Sequence, residues 1–207
     1  MFDTEYGIAS LVLKEIPYKG IAYIIFREVW DPENLLRACV TFCRMAGADI
    51  ICAAGHESLE QYPLYTTVLE MRGEAVADPD LLESLFPVTD ATVARWRGIY
   101  NEKMRPIDNA ATMTAFDEKK IVQSGGAYFI HREGDLLGIG WLEDTELLAV
   151  ASVKPGMGRT VMNTLMSLIE GSQMTLEVAS TNKKAIHLYE TLGFLKTREI
   201  SRWYKIR

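Results

Sequence analysis

Residues 176–194 read LEVASTNKKAIHLYETLGF. The run Met174–Ala179 alternates apolar and polar positions, which predicts a strand with Glu177 projecting opposite to Leu176 and Val178. Asn182 stands where a helix would be capped, and the helix expected over Asn182–Leu192 is closed by Gly193. One strand–helix unit thus presents a strand carboxylate, Glu177, and a helical phenol, Tyr189. Each also has an ordinary reading, as a solvent-facing strand acid and a half-buried packing tyrosine.

Upstream lies Val153–Thr160, VKPGMGRT, between the strand expected over Glu146–Val153 and a helix with an apolar face over Gly156–Gly171. Gly156 and Gly158 leave backbone N–H groups uncovered at a helix start, where the dipole is positive, and Lys154 and Arg159 add charge. A pyrophosphate fits such a loop, and so does a bare strand-to-helix turn. The segment is neither a Gly-Lys-Ser/Thr phosphate loop nor a full GxGxxG fingerprint.

Further outward, Ala127–His131 and Leu136–Trp141 read as a hairpin around Arg132–Asp135, preceded by helices from Thr89 or Asp90 to Met104 and over Thr114–Ser124. Phe194–Lys205 supplies one or two closing strands. The N-terminal part reads strand, strand, helix, strand, strand. Its elements include Gly20–Arg27, a helix from Pro32 to Ala46 capped by Asp31, Asp49–Ala54 and Tyr65–Arg72. Val76–Asp80 reads as a linker. The boundary is expected between about 75 and 88, giving an N-terminal subdomain over 1–84 and a second domain over 85–207. The strand–helix–strand core of the first mirrors Leu148–Ala179 in the second, which leaves open a degenerate duplication or an ordinary βαβ unit.

Asn182, the pair Leu188–Tyr189 and Gly193–Phe194, in register behind a Leu-Glu-Val strand, resemble the final strand–helix signature of GNAT N-acetyltransferases. Within Leu176–Phe194 the match is close to ribosomal-protein alanine N-acetyltransferases; the GNAT resemblance covers about residues 88–207, its helix–helix–strand–strand lead-in in outline. VKPGMGRT resembles the family's pyrophosphate loop, with Val153 where the family usually has Gln or Arg. The resemblance implies an α/β (α+β) fold: a mixed, mostly antiparallel sheet flanked by helices, with a half-GNAT-like βαβ subdomain in front. It also implies transfer of an acetyl group from acetyl-CoA, as co-substrate, to an amine. Glu177 matches the general base and Tyr189 the general acid. Val150, Ala151, Ser152, Val153, Lys154, Gly156, Met157, Gly158, Arg159, Thr160 and Asn182 frame the cofactor. A backbone N–H at Val150 or Ala151 polarises the thioester carbonyl, and the pantetheine arm pairs with the strand as an added strand would.

The chemistry is coherent. An amine is mostly protonated at neutral pH and must lose a proton before attacking, which a carboxylate can accept; the departing thiolate can be protonated by a phenol. Glu143, Asp144 and Glu146 are substitute bases. No metal is required. The non-enzymatic alternative is a GNAT-like module that binds CoA as a sensor or scaffold.

Composition sets outer limits. Apolar residues make up 48% and charged residues 24%, and the net charge of −6 argues against a nucleic-acid partner. No apolar run reaches membrane-span length and the acidic start lacks a leader pattern, so the expectation is cytoplasmic with no membrane partner. The expected acceptor is an amine-bearing small molecule or a protein N-terminus, and a homodimer is compatible. Cys39, Cys43 and Cys52 read as small buried thiols, a zinc site being the competing reading. Trp30, Trp96, Trp141 and Trp203 are expected in core packing.

Overall fold

The computed structural model describes residues 1–206. In chain order its elements are β1 (Phe2–Thr4), β2 (Gly7–Val12), α1 (Ile16–Lys19), β3 (Ile21–Val29), α2 (Pro32–Met45), β4 (Ile50–Ala54), β5 (Leu64–Glu74), β6 (Ser84–Pro87), α3 (Val93–Met104) and α4 (Ala115–Ser124). They continue with β7 (Ala127–Arg132), β8 (Asp135–Glu143), β9 (Glu146–Ser152), α5 (Gly158–Met166), β10 (Gln173–Ala179), α6 (Lys183–Thr191) and β11 (Leu195–Lys205). The chain forms two compact units, Met1–Val68 with Glu199–Arg207, and Leu69–Arg198. The segment 75–88, where the sequence suggests a boundary, lies inside the second unit. Among the described residues no helix is long and apolar enough to cross a membrane.

In the first unit, β1, β2 and β3 are antiparallel neighbours, and β3, α2 and β4 form a parallel βαβ element. Asp31 starts α2 by accepting the Asn34 N–H at 3.1 Å, with Pro32 in the first turn, where no N–H is needed. The buried helix stripe Leu35, Leu36, Cys39 and Cys43 packs on Ala22, Ile24, Phe26, Ile51 and Ala53. Each large apolar side chain buried this way contributes about 1.5–3 kcal/mol. Burial pushes the Cys39 and Cys43 thiols up to about 12 and about 11, so both stay protonated at neutral pH. The other face of β3 and β4 is apolar too, with Ile21, Tyr23, Cys52 and Ala54 packing against Trp203. Trp30 departs from its expected core place: it is 62% exposed, on the loop before α2.

In the second unit the strand order runs β6, β7, β8, β9, β10, β5 and the first part of β11. Helices α5 and α6 cover one face through Val161, Met162, Leu165, Met166, Ile186 and Tyr189. Helices α3 and α4 cover the other through Val93, Trp96, Tyr100 and Ile121. Gly138 and Gly140 let α5 seat directly on β8: a side chain at either would run into Val161 or Leu165. The short strand β6 has no counterpart in the sequence reading, because SLFP is too short to show a period. Helix α3 starts on Thr92, a little later than Thr89 or Asp90, and Phe194–Lys205 yields one long strand. The stretch expected as a linker is a strap tied to α5. The Asn163 side chain accepts the Asp78 N–H at 2.7 Å and donates to the Asp78 carbonyl at 2.9 Å, while the Glu170 carboxylate accepts the Ala77 N–H. Helix α5 is therefore buried from Thr160 through Met166.

Candidate active site

The site begins with a misfit in a ladder. β8 and β9 pair antiparallel from Gly138↔Ser152 to Trp141↔Ala149, and then from Leu142↔Leu147 to Glu143↔Glu146. Leu148 is the extra residue, a β-bulge. Its consequence shows in the packing. Leu147 and Val150 face α5 and α6, whereas Ala149 and Ala151 face α3 and α4. One inserted residue has moved every later side chain to the opposite face.

Beyond the bulge β9 parts from β10. The two parallel strands are in register only at Thr175↔Glu146 and Leu176↔Leu147. The Val153 N–H donates to the Leu137 carbonyl at 2.8 Å. Antiparallel alternation then turns the backbone groups of Ala149 and Ala151 toward β8 and those of Val150 and Ser152 toward the gap. Of the two amides expected at the thioester carbonyl, the register gives this orientation to Val150 and directs Ala151 to Ile139.

The gap leads to the start of α5. No side chain caps this helix, and its first turn holds no acid. Val161 is the first amide bonded within the helix, to Met157 at 2.9 Å, so the N–H groups of Gly158, Arg159 and Thr160 precede the ladder. Gly156 has φ +82°, a conformation that favours glycine, and open space where a side chain would be. Gly158 differs: a Cβ there would lie 3.2 Å from the Leu188 side chain of α6, which would have to give by a few tenths of an ångström. Not every residue of the loop is available to an anion. The Val153 and Lys154 amides donate to Leu137, the Met157 amide to Lys154, and the Lys154 ammonium pairs with Asp135. Arg159 is exposed, and no carboxylate pairs with it among the described residues. Thr160 is buried in the first turn.

Glu177 projects from β10 on the face opposite α5, as alternation required. Burial, then the Glu146 and Glu70 carboxylates, push its carboxyl up, and Arg198 opposes them. Glu146 is thus the substitute base that the structure brings to Glu177. Glu143 lies 4.0 Å from Lys120, and Asp144 forms the β8–β9 turn at φ +53°. Tyr189 lies in α6 at 6% exposure, its ring 6.0 Å from that of Phe194, and burial pushes its hydroxyl up to about 12. Asn182 caps α6 by accepting the Ala185 N–H at 3.2 Å. It also lines a cavity of about 330 Å³ with Pro106, Ile107 and Lys183.

Glu70 has no place in the sequence reading. Its side chain is 6% exposed and accepts from the Thr197 hydroxyl at 2.7 Å, Arg72 Nε at 2.8 Å and Arg198 Nη2 at 2.8 Å. The Thr197 hydroxyl foremost, with the two guanidinium groups, holds its carboxyl down at about 2 against the effect of burial. Partners more than 120 residues apart leave no local signal. The trace in the sequence is a row of charges, Glu70, Arg72 and Glu74, at alternate positions of β5.

No protein-family model and no curated protein sequence matches the chain. Solved structures do match it. A GNAT-family acetyltransferase from Colwellia psychrerythraea aligns with a TM-score of 0.52 at 11% identity, over 89% of this chain and 78% of its own. A GCN5-related N-acetyltransferase from Sphaerobacter thermophilus aligns with a TM-score of 0.54 at 12% identity, over 96% and 76%. A conserved protein of unknown function from Staphylococcus epidermidis ATCC 12228 aligns with a TM-score of 0.59 at 10% identity, over 99% and 92%. The fold is that of GNAT acetyltransferases: a mixed, mostly antiparallel sheet flanked by helices.

Proposed function

We propose that the second unit transfers an acetyl group from acetyl-CoA directly to an amine. The observation that carries this reading is the departure of β9 from β10 at Leu148, immediately before an uncapped helix start. A pantetheine arm is an extended chain with amide donors and acceptors, and the backbone of Val150 and Ser152 can pair with it as with another strand. The amides of Gly158, Arg159 and Thr160, the α5 dipole and the Arg159 side chain suit the pyrophosphate. Asn182 and the cavity beside it suit the arm where it passes α6.

In this reading Glu177 removes a proton from the acceptor ammonium. The free amine attacks the thioester carbonyl carbon, and the Val150 N–H donates to the oxyanion that forms. Collapse breaks the carbon–sulfur bond as the Tyr189 hydroxyl gives its proton to the departing thiolate, and the second proton that the attacking nitrogen sheds passes through water to restore the phenol. The perturbed acidities agree with these roles. A raised carboxyl pKa makes Glu177 a better acceptor near neutral pH, and a phenol at about 12 stays protonated until the thiolate appears.

The test is CoA release from acetyl-CoA across a panel of amines. Tyr189→Phe is expected to lower kcat about 100-fold with CoA affinity retained. For the wild type, kcat/KM should rise with pH along a limb displaced above the ordinary carboxylate range, because only the deprotonated base works. Glu177→Gln should remove that limb. CoA binding without turnover of any amine would replace the enzyme with a CoA-binding sensor or scaffold.

A further inference from the structure

Glu70, Arg72, Thr197 and Arg198 form a cluster that the acetyl-transfer chemistry leaves unused. β10, β5 and β11 are consecutive in the sheet, and the charges of Glu70 and Arg198 act on Glu177, so the cluster neighbours it. Met71 of β5 packs into the core with α5 and α6, so Glu70 and Arg72 project from the opposite face, the one that carries Glu177.

The arrangement of donors is informative. A guanidinium carries five N–H bonds in a rigid fork. Arg72 gives Glu70 its Nε, and Arg198 its Nε and Nη2. The remaining Nη donors of both lie on side chains that are 43% and 64% exposed. The buried carboxylate thus orients two guanidinium groups and offsets only one of their two charges. On the other side of Glu177 stands Glu146, a carboxylate for which no ion pair is found among the described residues. Across the strands the face is therefore negative at Glu146 and Glu177 and net positive at the cluster of Glu70, Arg72 and Arg198, with Glu74 the next residue of that face beyond Arg72.

We propose that the acceptor is a small amine that carries a carboxylate, an amino acid or ω-amino acid, whose carboxylate is held by Arg72 and Arg198 while its amine faces Glu177. This inference rests on the acetyl-transfer reading and adds the acceptor's chemical class. Two forked donors with a shared anchor suit the planar, two-oxygen geometry of a carboxylate. A polyamine would bring a second cation to the arginines, and a neutral amine would leave them without a counter-charge.

The experiment compares acid and amide pairs as acceptors: glycine with glycinamide, β-alanine with β-alaninamide, and 4-aminobutyrate with its amide. Rates are normalised to the concentration of unprotonated amine, because the acid and its amide differ in amine basicity. At least one acid should exceed its amide by 10-fold or more in kcat/KM, mainly through KM. Arg198→Gln and Arg72→Gln should each bring that ratio toward 1, and Arg198→Lys should restore part of it. Arg198→Gln is also checked by its CoA-induced rise in Tm, to show that the fold persists. Wild-type ratios near 1 for all three pairs, with neutral amines or a peptide N-terminus acetylated readily, would overturn the carboxylate subsite and leave acetyl transfer standing. Absence of turnover with every amine would overturn both.

Discussion

The chain contains two parallel strand–helix–strand elements built to similar lengths, and they have opposite fates. In β3–α2–β4 the two strands stay in register for five consecutive pairs, from Ile21↔Ile50 to Ile25↔Ala54. In β9–α5–β10 they stay together for two. The helix starts differ as well. α2 opens on Asp31, Pro32 and Glu33, so its first turn already holds a carboxylate cap and an acid. α5 opens on Gly156, Met157 and Gly158 with neither. The first element satisfies its backbone groups internally and is scaffold. The second turns strand amides toward a gap and starts a helix whose first amides precede the ladder, at adjoining places, which is what a binding site for an extended, phosphate-bearing ligand requires. One inserted residue and one missing cap separate the two outcomes.

The sharpest way to break this comparison is to remove a single amide on each side. Val150→Pro deletes an N–H that points into the gap, where no ladder bond is lost. The fold should survive and kcat should fall about 100- to 1,000-fold, the usual cost of one oxyanion donor. Proline at Ala53 enters β4, which pairs with β3 through Ile24 and with β11 through Tyr204. That variant should fail to fold, because either orientation of the lost N–H breaks a ladder. Circular dichroism and thermal melting distinguish the two. If Val150→Pro unfolds like Ala53→Pro, the Val150 amide is part of a ladder and the gap is not a binding edge.

What was readable in the sequence follows the same division. Elements with a local period were legible: the α2 stripe, the alternation around Glu177, the hairpin at Arg132–Asp135, and the α6 cap at Asn182. The bulge was not, because Leu147 and Leu148 are both apolar and an insertion within Glu146–Ser152 disturbs no visible pattern. Val153, which stands where the GNAT proteins that the sequence resembles usually have Gln or Arg, is an extension of β9 whose amide bonds Leu137, a fact of register. The strap over α5 and the Glu70 cluster depend on partners 85 to 128 residues away. Local chemistry therefore gave the candidate acid and base, while the space between them came only with the tertiary structure.

A second, smaller test makes the start of α5 resemble that of α2. Arg159 is exposed in the first turn, so Arg159→Glu changes charge without disturbing the core. It places an acid where Glu33 stands in α2 and opposes the two phosphates through direct repulsion. CoA affinity should fall about tenfold, with the loss reduced at high salt, and Tm without CoA should change little. The reciprocal change, Glu33→Arg, should add no second CoA site and leave the affinity of the first unchanged, because Asp31 still fills the α2 cap. Calorimetric titration with CoA measures both, and an unchanged affinity for Arg159→Glu would remove the helix start from the phosphate site.

The smallest effect concerns the sheet faces turned away from the crossover helices. On β3 and β4 that face is apolar, centred on Tyr23 and Trp203, whose rings meet edge-on at 5.1 Å. On β10 and β5 it carries Glu177 and Glu70. Glu70 has its folded pKa held at about 2, below the 4.5 of the free side chain, so the unfolded chain binds its proton first. The resulting stability is therefore present above about pH 4.5 and is lost as pH falls toward 2. Glu70→Gln should lower Tm by a few degrees at pH 7, because the variant cannot ion-pair with either arginine. The gap from wild type should narrow steadily below pH 4.5, as the unfolded wild-type chain takes up a proton that the folded carboxylate does not yet bind. A gap that stays constant down to pH 2.5 would mean that Glu70 acts through packing rather than charge, and the two guanidinium groups beside Glu177 would then lack the anchor that orients them.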